Sequence, residues 1–258
     1  LHVFNERVRV QGEEVSDQRL IESFEAIEAV RNDVQLNYFE YAILAALACF
    51  NREELDYAIL EVGLGGRLDA VNIVDGDLSI ITSVGIDHEE YLGSDRESIG
   101  REKAGILRNG TPLIFGEPQI PESVEQRAKE LGVVTYIAGR DFQEHTDVNG
   151  WRIEVVEGAQ RNTYHYSRTP FVAKNNAVVA IQAAVLLGVS VDSKTIGDVI
   201  DFRLPGRLEV VDKVDRTWIL DVAHNPHAAR FLSHQLKERY PGRRFSGLFG
   251  CFTDKDAV

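Results

Sequence analysis

Tyr57-Ala58-Ile59-Leu60-Glu61-Val62-Gly63-Leu64-Gly65-Gly66-Arg67-Leu68-Asp69-Ala70-Val71-Asn72 is the stretch on which the fold of this chain turns. An apolar run ends in a carboxylate, a glycine-rich turn follows at once, and then come an Arg, an Asp and an Asn. A strand that delivers an acid to its carboxyl end, beside a loop of bare backbone, is a common way to build a metal and phosphate site. The glycines do not make a dinucleotide fingerprint, because Leu68 holds the place of the third glycine. Taken alone, the turn could equally be a tight bend that needs positive φ.

Around this stretch, apolar strands alternate with amphipathic helices, which indicates a parallel α/β sheet. Tyr57 to Val62 and Leu78 to Val84 are expected as buried strands, with Leu113 to Phe115 and Val133 to Ile137 as shorter ones. Helices are expected over Asp17 to Arg31 behind an N-capping Ser16, over Asn37 to Phe50, Ile99 to Leu107 and Ser123 to Leu131. His2 to Val10 has strand or extended character. From Asp141 to Ser167 the pattern changes to a small antiparallel sheet, with strands at Trp151 to Val156 and Asn162 to Tyr166. A helix over Asn175 to Gly188 follows. Leu204-Pro205-Gly206-Arg207 breaks the chain after a polar helix. A second β-α-β run is expected beyond it: Trp218 to Ala223, Pro226 to Arg239, and Arg244 to Gly250. The expected division is residues 1–203 and 204–258.

The 258 residues are 44% hydrophobic and 27% charged, an ordinary balance for a globular protein. No apolar run reaches the roughly 18–20 residues that span a bilayer, so no membrane association is expected. A net charge of −13 argues against a nucleic-acid surface, which needs clustered Lys and Arg. Cys49 and Cys251 are expected as reduced core thiols of a cytoplasmic protein. The chain begins at Leu1 and contains no Met, so both ends of a longer protein are expected to lie outside it.

Three further constellations can carry chemistry. Asp87-His88-Glu89-Glu90 follows an apolar strand, and His88 is a candidate metal ligand or general base. Arg101-Glu102-Lys103 is either a solvated helix face or, given Ala104-Gly105 after it, a closely packed one; a desolvated Lys103 would have a lowered pKa and could be modified. Asp221-Val222-Ala223-His224-Asn225-Pro226 is a strand-to-helix crossover suited to ribose and phosphates, or a helix cap built from Asn225.

Together, Leu60 to Ala70, Asp87-His88, Arg96 to Ile106, Leu204 to Arg207 and Asp221 to His227 resemble the folylpolyglutamate synthase/dihydrofolate synthase family, within the wider Mur ligase group. Phe4 to Val10 and Tyr38-Phe39-Glu40-Tyr41 fit as well. The resemblance implies a Mur-ligase-like central parallel-sheet ATPase domain and the first part of a Rossmann-like C-terminal domain. It implies ATP-dependent joining of L-glutamate to dihydropteroate or a folate through an acyl phosphate. Glu61 and His88 match the family's Mg²⁺ ligands, and Lys103 matches the lysine that the family carbamylates, which makes Lys103 and His88 the catalytic candidates. Asn176, Arg207, Asp221 and His224 match ATP contacts. Phe39 and Asp69 would lie near the pterin. The expected partners are the small-molecule substrates alone, and the expected state is a monomer. The family's P-loop lies upstream of Leu1, and no G-x-x-x-x-G-K-[ST] segment occurs in these residues. Two other readings stay open: a Mur-type ligase acting on a nucleotide-linked peptidoglycan precursor, and a non-catalytic nucleotide or pterin module.

Overall fold

The structure, a computed structural model, describes residues 3–224 and 226–250. The expected roles of Asn225 and Cys251, and the start of the first segment at His2, fall outside the described residues. The chain forms two compact units, Leu1–Asp75 with Glu102–Ile106, and Gly76–Arg101 with Leu107–Val258.

In the first unit, the segment expected to be extended folds as a short 3-10 turn, Phe4–Arg7, before strand β1 (Arg9–Val10) pairs with β2 (Glu13–Glu14). Gln11 and Gly12, both at positive φ, make the tight connection. Helix α1 runs over Asp17–Arg31, and its capping Ser16 accepts a hydrogen bond from the Arg19 N–H. Helix α2 (Tyr38–Phe50) starts with a reciprocal cap: Asn37 accepts from the Phe39 and Glu40 N–H groups, and Glu40 accepts from the Asn37 N–H. Its buried face is Ala42, Ala45, Ala46 and Cys49, at helical spacing. These small side chains let α1 and α2 approach until Ser23 Oγ and Cys49 Sγ are 3.5 Å apart.

The second unit holds a parallel sheet in the order β3 (Ser79–Ile81), β4 (Leu113–Phe115), β5 (Thr135–Ile137). The short α3 (Glu89–Leu92) and α4 (Arg96–Ala104, its last three residues counted with the first unit) connect β3 to β4, and α5 (Glu122–Glu130) connects β4 to β5. An antiparallel sheet follows, with β7 (Gly150–Glu157) between β6 (Gln143–Asp147) and β8 (Gln160–Tyr166). Trp151, Ile153 and Val155 alternate inward from β7. They pack against α6 (Lys174–Leu186) and α7 (Ser193–Asp201) through Ala177, Val178, Ile181, Ile196 and Ile200. Each large aliphatic or aromatic side chain buried here contributes roughly 1.5–3 kcal/mol. Gln182, buried in the same core, accepts from the Val156 N–H at 2.9 Å and donates to the Val156 carbonyl at 2.8 Å. β9 (Glu209–Lys213) and β10 (Arg216–Leu220) form a hairpin, and α8 runs over Pro226–Arg239.

Two expected strands are absent among the described residues. Tyr57 to Val62 and Arg244 to Gly250 have no ladder partner, and Ile59 and Leu248 are 92% and 97% exposed. A strand exists only where a neighbour satisfies its N–H and C=O groups, and apolar composition does not provide that neighbour.

Candidate active site

In the first unit the site is built around the turn after Glu61. The Asp69 carboxylate organises it: Oδ2 accepts from the Gly63 and Leu64 N–H groups at 3.0 and 2.9 Å, and Oδ1 accepts from the Val71 N–H at 2.9 Å. Asp69 thereby caps the 3-10 turn Ala70–Ile73 and fixes the backbone before it. The Phe39 ring lies on the same backbone, since a methyl group placed on Gly63 would sit 2.7 Å from Phe39 Cζ. Phe39 and Asp69 therefore meet at Gly63. Glu61 stands two residues upstream, exposed, with no partner for its carboxylate among the described residues.

The far side of the turn is pressed against the end of α4. A methyl on Gly66 would meet the Glu102 carbonyl at 3.0 Å, and one on Gly105 would meet Arg67 Cα at 2.5 Å. The Arg67 N–H donates to the Glu102 carbonyl at 2.9 Å, and the two side chains form an ion pair. Asn72 Nδ2 donates to the carbonyls of Arg67 and Gly105. The small residues after Lys103 thus serve close packing, the second of the two readings left open for that segment. Lys103 is half-buried, burial holds its ammonium below the ordinary lysine range, and its ammonium has no hydrogen-bond or ion-pair partner among the described residues.

In the second unit, His88 follows β3 in a left-handed conformation, φ 53° and ψ 42°, with an exposed imidazole. Glu117, just past β4, accepts from the Val84 N–H at 3.2 Å and from Arg96 at 3.1 Å, so a strand-end carboxylate braces this loop. Asp221 resembles Asp69 in its use. It accepts from the Leu208 and Ala223 N–H groups at 2.9 and 2.8 Å, and ties the turn Leu204–Leu208 to the end of β10. Arg207 extends from that turn, exposed and without an ion-pair partner among the described residues. His224 is exposed beside it, its Nδ1 2.9 Å from the Val222 carbonyl. Asn176 is exposed in the first turn of α6, while its neighbour Asn175 donates to the Gly116 carbonyl.

The nine sequence candidates thus fall into two groups. Phe39, Glu61, Asp69 and Lys103 belong to the first unit; His88, Asn176, Arg207, Asp221 and His224 belong to the second. Glu117 and Asn175 are the residues that sequence reasoning passed over. The signal for Glu117 was available, since it is an acid just beyond an apolar strand, as Glu61 was expected to be. Among the described residues no three His, Cys, Asp or Glu side chains gather into a metal cage.

Residues 206–257 match the family described as Mur ligase, glutamate ligase domain. The dihydrofolate synthase/folylpolyglutamate synthase of Escherichia coli (strain K12) is 42% identical over 254 residues, covering 98% of this chain and 59% of that protein. The Bacillus subtilis (strain 168) protein of the same name is 30% identical over 277 residues, covering 98% of this chain and 63% of that protein. Among solved structures, Escherichia coli FolC in complex with DHPP and ADP superimposes with a TM-score of 0.90 at 40% identity, over 99% of this chain and 61% of that one. The Yersinia pestis bifunctional folylpolyglutamate synthase/dihydrofolate synthase with AMPPNP and Mn ion gives 0.83 at 44%, over 92% of this chain and 56% of that one. The chain spans about three fifths of the length of the curated relatives it matches.

Proposed function

We propose that the protein of this chain is an ATP-dependent ligase joining L-glutamate to dihydropteroate or a folate, a reading supported by the chain's similarity over nearly all its length to dihydrofolate synthase/folylpolyglutamate synthases. The observation that carries the reading is the turn at 61–69. An unpartnered carboxylate precedes it, and an aromatic ring lies on its backbone at Gly63. A flat pterin suits that ring by stacking, which a nucleotide-linked peptide acceptor would not require.

The chemistry follows from the charges. A carboxylate oxide is a poor leaving group; ATP turns it into an acyl phosphate, which the glutamate amine attacks with release of inorganic phosphate. Divalent metal, when bound, offsets the charge on the phosphoryl groups. Glu61 supplies a hard oxygen ligand and His88 an imidazole, both exposed. Phe39 binds the pterin face, and Asp69 holds Gly63 and Leu64 beneath it. Arg207, Asp221, His224 and Asn176 serve the nucleotide. For Arg207 the free guanidinium supports phosphate contact. For Asp221 the geometry supports a role through the backbone it braces. Lys103 is proposed as the carbamylated lysine. Its desolvated amine spends more time neutral than an ordinary lysine, and only the neutral amine captures CO₂.

The same reading gives a boundary at 203/204, which the match over 206–257 supports. It also gives a monomeric cytoplasmic protein; no helix among the described residues is long and apolar enough to cross a membrane. The test is phosphate release with ATP and Mg²⁺ over a panel of acceptors. Turnover is expected only with glutamate plus dihydropteroate or tetrahydrofolate. Glutamate-independent release, or none with any pteroate, would sink the reading. Turnover with a nucleotide-linked peptide acceptor alone would transfer the chain to the peptidoglycan branch. Comparing dihydropteroate with tetrahydrofolate decides whether one or both glutamate additions occur.

A further inference from the structure

His88 adopts a backbone conformation that residues with a Cβ rarely hold, and its own side chain does not cap the helix that follows. Asp87 stabilises it from outside: Oδ1 accepts from the His88 N–H at 2.8 Å. The other oxygen of the same carboxylate, Oδ2, lies 4.0 Å from Nε2 of His224. That imidazole is itself oriented. Its Nδ1 faces the Val222 carbonyl at 2.9 Å, and because a carbonyl only accepts, Nδ1 carries the proton. The ring's other nitrogen, Nε2, is the one turned to Asp87, at a separation longer than a hydrogen bond. One carboxylate spans two segments far apart in sequence, the His88 turn and the crossover that follows β10.

We propose that Asp87 is a positioning residue of this site. It locks the His88 turn in its left-handed form and registers that turn against Val222–His224. The inference rests on the reading of His88 as a metal ligand and His224 as a nucleotide contact. Asp87 touches neither the reacting atoms nor the metal in this role, as is usual for groups that orient a ligand from behind.

Two variants divide the two functions of the carboxylate. Asp87→Asn keeps an oxygen for the His88 N–H but removes the charge facing His224, whereas Asp87→Ala removes both. Mn²⁺ binding followed by electron paramagnetic resonance, without turnover, should weaken roughly tenfold in Asp87→Ala and stay within about twofold in Asp87→Asn. Binding of a non-hydrolysable ATP analogue, followed by calorimetry, should weaken about threefold in Asp87→Asn. Adding His224→Gln to Asp87→Asn should then weaken it by less than the product of the single effects. Native Mn²⁺ affinity in Asp87→Ala, or fully multiplicative effects in the double variant, would overturn the inference alone. A wild-type protein that binds neither Mn²⁺ nor the analogue would overturn the functional reading, and this inference with it.

Discussion

Two turns in this molecule use the same device and reach different ends. At Gly63–Asp69 and at Leu204–Leu208, an aspartate gathers backbone N–H groups and leaves a neighbouring candidate side chain exposed. The first turn is also pressed backbone to backbone against Glu102 and Gly105. The second has no such seat. A methyl on Gly206 would touch only Val222 Cγ1, at 3.1 Å, and the bracing is polar: Glu209 accepts from the Gly206 N–H, Asp221 from the Leu208 N–H. Leu208 is held at φ 46°, a conformation that needs this outside support. The contrast separates a rigid platform from a polar latch. Close backbone packing seats the turn that carries Gly63 and Asp69, whereas hydrogen bonds, with Leu208 buried beside them, brace the turn that carries Arg207.

The largest expected effect tests the platform's chemistry apart from its packing. Lys103→Ala should lower turnover by roughly 10² or more, with no fall in the unfolding temperature, because the variant removes a desolvated charge. Near wild-type turnover would take Lys103 out of the site. Glu61→Gln should raise the metal concentration needed for half-maximal activity by about tenfold, and an unchanged titration would remove Glu61 as a ligand. The next two variants address the comparison itself. Gly105→Ala places its methyl 2.3 Å from Arg67 Cβ and should cost about 2–3 kcal/mol in denaturant unfolding. Gly206→Ala, strained at φ +69° but otherwise nearly open, should cost about 1 kcal/mol. Equal losses would erase the distinction between platform and latch.

The smallest effect concerns pH. Lys103 in the native protein titrates below its ordinary 10.5. Over the interval between the two values the unfolded chain binds more protons, so stability rises with pH there. Urea unfolding at two pH values should show that gain in the wild type and lose it in Lys103→Met. A gain retained by the variant would assign it to another group.

Elements with signals in their own residues were legible in the sequence. α1 and α8 have the expected limits, Asp17–Arg31 and Pro226–Arg239, because Ser16 and Pro226 mark their starts. β4 matches as well. Two apolar segments were misread as strands, Tyr57 to Val62 and Arg244 to Gly250, because composition does not say whether a pairing neighbour is there. The hairpin at Gln11-Gly12 was missed because glutamine rarely takes positive φ. At the site, residue types were readable and their tasks were not. Asp69 and Asp221 were expected to face ligands, yet both spend their oxygens on backbone N–H groups. Which lone pairs remain free is set by the folded loop.

Gln182 has a consequence for how the molecule breathes. Its amide meets both the N–H and the carbonyl of Val156, much as the peptide group of an adjoining strand would. Helix α6 cannot lift from β7 at this point without breaking both of these hydrogen bonds at once. The helix and the antiparallel sheet are therefore coupled into one cooperative opening unit, whose amides exchange with solvent hydrogen together. Asn176, at the head of that helix, is carried on a mount that yields as a whole or not at all.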